Sequence, residues 1–167
     1  PNTVPATTDL SALAAKTQAA REKGAYVRYT PLMGIVPGGT AQLASLAPGA
    51  LPAVKLFLGT STGNMRSPEG RELEELFRIC AALALPIIVH AEDNAIIARN
   101  MDAALARYGT PEAIPVSQHH HIRSREACLR ASAAAVELAE RFGTRLHLAH
   151  VTTADEVHQL LCEGPTK

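Results

Sequence analysis

Three short apolar runs, each interrupted by a polar side chain, constrain what this chain can fold into. They are Ala53-Val54-Lys55-Leu56-Phe57-Leu58-Gly59, Pro86-Ile87-Ile88-Val89-His90 and Arg145-Leu146-His147-Leu148-Ala149-His150. Each has the length of a buried strand, and segments with helical periodicity separate them. Near-continuous apolar strands alternating with helices imply parallel pairing and right-handed crossovers. The sheet is then covered on both faces or closed into a barrel. In either α/β fold the ligand site lies at the C-terminal ends of the strands. Lys55, His90 and His150 lie towards those ends, with Lys55 a few residues deeper.

Around these runs the remaining elements can be placed. Thr7-Thr8-Asp9 offers N-cap side chains for a helix that runs to about Lys23 and stops at Gly24. Residues 25–30 read as a strand, 40–46 as a short helix and 53–58 as the Lys55 strand. Gly59 to Asn64 has the look of a phosphate loop but lacks the Gly-Lys-Ser/Thr that would give it force, so it reads as a plain connection. Ser67 caps the next helix with Pro68 at its first position. The third strand covers 87–90, and a helix with Ile96, Ile97, Met101 and Leu105 inward covers 94–108. A loop then carries His119-His120-His121. Ser124 caps a long helix ended by Gly143, and residues 146–151 form the last strand. Thr153 and Glu156 have the spacing of a capping box for the last helix.

Composition narrows the function. The 167 residues are 47% hydrophobic and 4% aromatic, with a net charge of +0. Neutral charge gives no support for a nucleic-acid partner or an anionic membrane. No apolar stretch approaches the roughly 20 residues that span a bilayer. Cys80, Cys128 and Cys162 are far apart and form no CxxC. Free thiols fit a reducing compartment, so a cytoplasmic location is expected.

The chemistry rests on Lys55. An ammonium inside an apolar strand must be paired, neutralised or converted. A neutral amine can take up carbon dioxide and become a carbamate, an anionic oxygen ligand able to bridge two metal ions. Schiff-base chemistry also uses a neutral lysine. The strand-end histidines His90 and His150 favour the metal reading, because imidazole is a natural zinc ligand. His147 lies three residues before His150, so strand alternation puts it on the other side, as a structural residue. His158 reads as a surface residue, and the triple histidine as an exposed loop.

Taken together, these motifs resemble the dihydroorotases of the metal-dependent amidohydrolase superfamily along essentially the whole chain. Pro1-Asn2-Thr3-Val4-Pro5-Ala6-Thr7-Thr8 resembles the segment after the second barrel strand, and Val54 to Gly59 the fourth strand with its carboxylated lysine. His90-Ala91-Glu92-Asp93 matches the fifth-strand metal motif. His119 to Ser124 resembles a His-Pro-x-Ile-Arg-Ser segment, with His120 in place of the proline. His147 to Thr153 resembles the sixth-strand motif. The resemblance implies a partial TIM (β/α)8 barrel, strands three to six with their helices, with residues 1–167 as the central part of the domain. A complete barrel takes about 250 residues. It implies that Lys55 bridges two zinc ions, that His90 and His150 bind the second, and that Asn2 contacts the substrate carboxylate. The family's first-strand His-x-His and its eighth-strand Asp, the proton shuttle, would fall before Pro1 and after Lys167.

The reaction so implied is reversible hydrolysis of dihydroorotate to N-carbamoyl-aspartate in pyrimidine biosynthesis, with a metal-activated water as nucleophile. Hydantoinases and allantoinases share the metal residues and are expected to differ in the Asn2 segment. A non-catalytic homologue acting as an assembly partner is the alternative of another class. A half barrel leaves sheet edges and apolar helix faces uncovered. Flanking segments of a longer chain, or a second copy in a homodimer, are therefore expected to cover them.

Overall fold

The computed structural model describes residues 3–59 and 66–163, with the side chains of the last two left aside. Asn2 and residues 60–65 lie outside the described residues. Four strands, β1 (Met33–Gly34), β2 (Val54–Leu58), β3 (Ile87–Ala91) and β4 (Leu146–Leu148), form one parallel sheet in the order β1-β2-β3-β4. Each strand is thus added beside its predecessor, whereas a doubly wound sheet reverses direction part-way. The helices are α1 (Leu10–Glu22), α2 (Thr40–Ala44), α3 (Gly70–Ala82), α4 (Asn94–Tyr108), α5 (His119–Ile122), α6 (Arg125–Phe142) and α7 (Ala154–His158).

The two faces of the sheet differ sharply. Val54, Leu56, Ile87 and Val89 are fully buried on one face. They share a core with Leu76, Phe77 and Cys80 of α3 and with Ala131, Ala135 and Ala139 of α6. The three alanines recur every four residues, so α6 presents a smooth stripe and lies close on β3. Burying each of the four strand side chains stabilises the fold by about 1.5–3 kcal/mol. That sum outweighs the desolvation of one half-buried ammonium on the opposite face. The opposite face carries Lys55, Ile88 and His147 in one row and Phe57 and His90 in the next, as the parallel register requires.

Several helix ends follow the expected chemistry. Asp9 caps α1, with Oδ1 accepting from the Ala12 amide. Gly143 closes α6 in the left-handed conformation at φ 69°. Thr153 and Glu156 make a reciprocal capping box.

Other expectations need correction. The segment 25–30 is not a strand: Tyr26 and Val27 stand in solvent, and β1 falls at Met33–Gly34 instead. Its backbone is what β2 accepts, with the Ile35 amide donating to the Lys55 carbonyl at 2.9 Å. No further strand among the described residues lies beyond β1, so residues 25–30 have nothing to pair with. Ser67 is not the cap of α3, which starts after Glu69; its hydroxyl donates to the Phe57 carbonyl. The histidine triplet is one turn of helix, α5, rather than loop. The last strand ends at Leu148, not at residue 151.

That early end matters for the site. His150 adopts φ 44°, outside the strand, so strand alternation does not reach it. His147 therefore shares the Lys55 face, opposite Ile88, instead of pointing away from the site side.

Candidate functional site

At the C-terminal edge of the sheet, β3 ends in His90-Ala91, with Glu92 just beyond, and the chain after β4 turns sharply at His150. The turn brings two imidazoles together from positions 60 residues apart. His90 Nδ1 lies 2.9 Å from His150 Nε2, and the rings meet edge to face with centroids 4.8 Å apart. Two nitrogens sharing a tetrahedral zinc at about 2.0–2.1 Å each stand roughly 3.3–3.4 Å apart. The pair therefore fits such an ion after opening by a few tenths of an ångström.

Lys55 belongs to the same face. It lies opposite Ile88, while Phe57 lies opposite His90. Its Nζ sits over the Phe57 ring, 4.8 Å from the centroid, and the Phe57 and His90 rings are 6.0 Å apart. Phe57 is thus a neighbour of both. No carboxylate among the described residues pairs with the Lys55 ammonium, and burial alone lowers its pKa to about 8. A lysine in that state carries a substantial neutral fraction at mildly alkaline pH, as carbamate formation requires.

The described residues contain no group of three His, Cys, Asp or Glu side chains placed to hold a metal. Two imidazoles converge. The donor types fit zinc, with coordination left to be completed by other groups.

Behind the pair lies a carboxylate, that of Glu92. Glu92 is 8% exposed, and its Oε2 accepts from His90 Nε2 at 2.6 Å. Arg123 grips the same carboxylate, with Nε donating to Oε1 at 2.9 Å and Nη2 to Oε2. Burial alone would raise the Glu92 pKa. The hydrogen bonds from His90 and Arg123 outweigh it and bring the pKa down to about 2. Both residues stand inside quoted motifs, Glu92 two positions after His90 and Arg123 before Ser124. The sequence signal was only their place beside His90 and Ser124; the burial of the carboxylate comes from the fold.

A cleft of about 730 Å³ opens beside His90 and His150, walled by Glu92, Arg123, His119, His120 and Thr152. Two of the three adjacent histidines thus reach the site, because α5 turns them around an axis. His158 is exposed, as expected for a surface residue.

Comparison with known proteins gives relatives in sequence and in fold. The chain is 34% identical over 155 residues to an allantoinase of Rubrobacter xylanophilus, covering 91% of this chain and 33% of the relative. It is 29% identical over 160 residues to a dihydroorotase of Methanosarcina mazei, covering 94% and 33%. Its fold superposes on an L-hydantoinase of Arthrobacter aurescens with a TM-score of 0.84 at 26% identity, covering 96% of this chain and 35% of that one.

The chain is similar to part of a cyclic amidohydrolase.

It spans about a third of the length of the curated relatives it matches. No family model matches it. The similarity supports the amidohydrolase resemblance but does not single out dihydroorotase, since allantoinase and hydantoinase fit better. No helix among the described residues is long and apolar enough to cross a membrane.

Proposed function

We propose that this chain is part of a metal-dependent cyclic amidohydrolase that opens a ring amide by hydrolysis. The observation that carries the proposal is the convergence of His90 Nδ1 and His150 Nε2 on the sheet face that holds Lys55. On this reading His90 and His150 hold zinc, and Lys55 does so as its carbamate. The metal, when bound, supplies Lewis acidity and a water acidified to near neutral pH. The chain's own residues do the rest. Glu92 keeps the His90 ring in place. His119, His120 and Thr152 line the cleft where a ring substrate is held against the metal-binding edge.

We further propose that the four strands belong to a (β/α)8 barrel whose other strands, with the remaining ligands and a proton-shuttling acid, come from the rest of the protein. The sequential strand order and the L-hydantoinase superposition support this. A hydantoin-type ring, allantoin included, is the favoured substrate class, because the allantoinase relative is more similar than the dihydroorotase. Dihydroorotate is the second reading, favoured by the Asn2 segment, which lies outside the described residues. Turnover by the intact zinc-loaded protein decides. Faster hydrolysis of allantoin or hydantoin supports the first reading, and faster turnover of dihydroorotate the second. Activity on none of them, with about two zinc ions bound per chain, overturns the cyclic-amide assignment; absence of zinc overturns the metal reading.

A further inference from the structure

The ion pair behind His90 has a consequence for proton placement. The Glu92 carboxylate, held by the Arg123 fork on both oxygens, is ionised and can only accept hydrogen bonds. The imidazole nitrogen it meets, His90 Nε2, must therefore carry the proton. Nδ1 is then left with its lone pair, aimed at His150. Without Arg123, the carboxylate would keep, of its ion-pair partners among the described residues, only His90 itself and would be free to turn.

We infer that Arg123 is a positioning residue that acts through Glu92 to hold His90 as the Nε2–H tautomer with Nδ1 presented to the site. This rests on the amidohydrolase reading for its purpose, but not for its test. Gly59 belongs to the same device. It adopts φ 116°, and a Cβ there would meet the Glu92 carbonyl oxygen at 2.6 Å. The Glu92 amide in turn donates to Leu58 at 2.7 Å, so the strand end fixes the backbone from which the carboxylate projects.

The experiment uses the intact protein, stripped of metal and labelled with 15N-histidine, with His90→Asn to assign the resonance. Two-bond 15N–1H spectra report which ring nitrogen carries the proton. Wild type is expected to show His90 protonated on Nε2. Arg123→Met, which keeps the apolar stem and removes the fork, is expected to give a mixture of tautomers. Zinc affinity, read by chelator competition, is expected to fall about 10–100-fold. Arg123→Lys restores the charge without the fork and is expected to recover part of both. If Arg123→Met does not fold, Arg123→Lys alone decides, because a point charge cannot hold both carboxylate oxygens. Wild-type His90 protonated on Nδ1 would overturn the inference. So would an unchanged tautomer in a folded variant. A wild type that binds no zinc defeats the metal reading and leaves the tautomer result to decide this one.

Discussion

His90 and His150 face each other across 2.9 Å although one lies within β3, next to its last residue, and the other lies past the end of β4. The contact depends on the early end of β4 and on the positive φ of His150. Neither residue holds up the core. We therefore expect His90→Ala or His150→Ala to lower zinc affinity and ring hydrolysis by at least about 100-fold, while stability changes by no more than about 1 kcal/mol. Metal analysis and urea unfolding of the stripped protein test both halves. A large loss of stability would show the pair to be structural.

Lys55 carries a desolvation cost on the sheet. It is half-buried, its ammonium has no carboxylate partner among the described residues, and burial depresses its pKa. Partial exposure screens much of that penalty. Lys55→Leu is expected to leave the metal-free protein as stable as wild type or more so, by up to about 1 kcal/mol. The same variant is expected to abolish hydrolysis. Denaturant midpoints and turnover, measured side by side, check this.

Gly59→Ala should be costly. The left-handed-side φ and the approach of the Glu92 carbonyl act at one position. A loss of roughly 2–4 kcal/mol is expected from strain and displacement together. Thermal unfolding gives the magnitude.

The two described thiols should differ in reactivity. Cys80 is fully buried against the sheet, and burial pushes its pKa up to about 12. Cys128 is half-buried at the cleft; burial, then Glu156 and Glu92, raise its pKa more modestly. Alkylation of the native protein near pH 8, read by mass spectrometry, should label Cys128 first and leave Cys80 intact until unfolding.

Asp9 supplies a pH dependence. Its bond from the Ala12 amide, then that from Ser11, lower its pKa in the folded state. A depressed carboxylate contributes stability above its unfolded value of about 3.9, and that contribution is lost as the pH falls through the lower folded value. Asp9→Ala should therefore be less stable than wild type at pH 6, and the gap should close in strong acid. Melting curves over a pH series test the sign.

Local chemistry alone gave a good part of this. Asp9, Ser124, Gly143 and the Thr153–Glu156 pair set helix ends through bonds within three or four residues, so their spacing carries the information. The apolar runs set β2 and β3, and Lys55 stood out because an amine in such a run is costly. Ser67 misled, because its hydroxyl is taken by the Phe57 carbonyl, ten residues back and beyond the reach of any local capping rule.

What the sequence determined by itself was the list of groups and the elements that carry them: parallel strands, capped helices, and Lys55, His90 and His150 near strand ends. Tertiary structure decided how they meet. It gave strand status to Met33–Gly34 instead of residues 25–30, because a strand exists only where a neighbour accepts its hydrogen bonds. It placed His147 on the Lys55 face, since register follows the partner strand and not the spacing to His150. It also joined Arg123, at the end of α5, to Glu92 across 31 residues of sequence, and Glu92 to His90, contacts that are invisible in a linear motif.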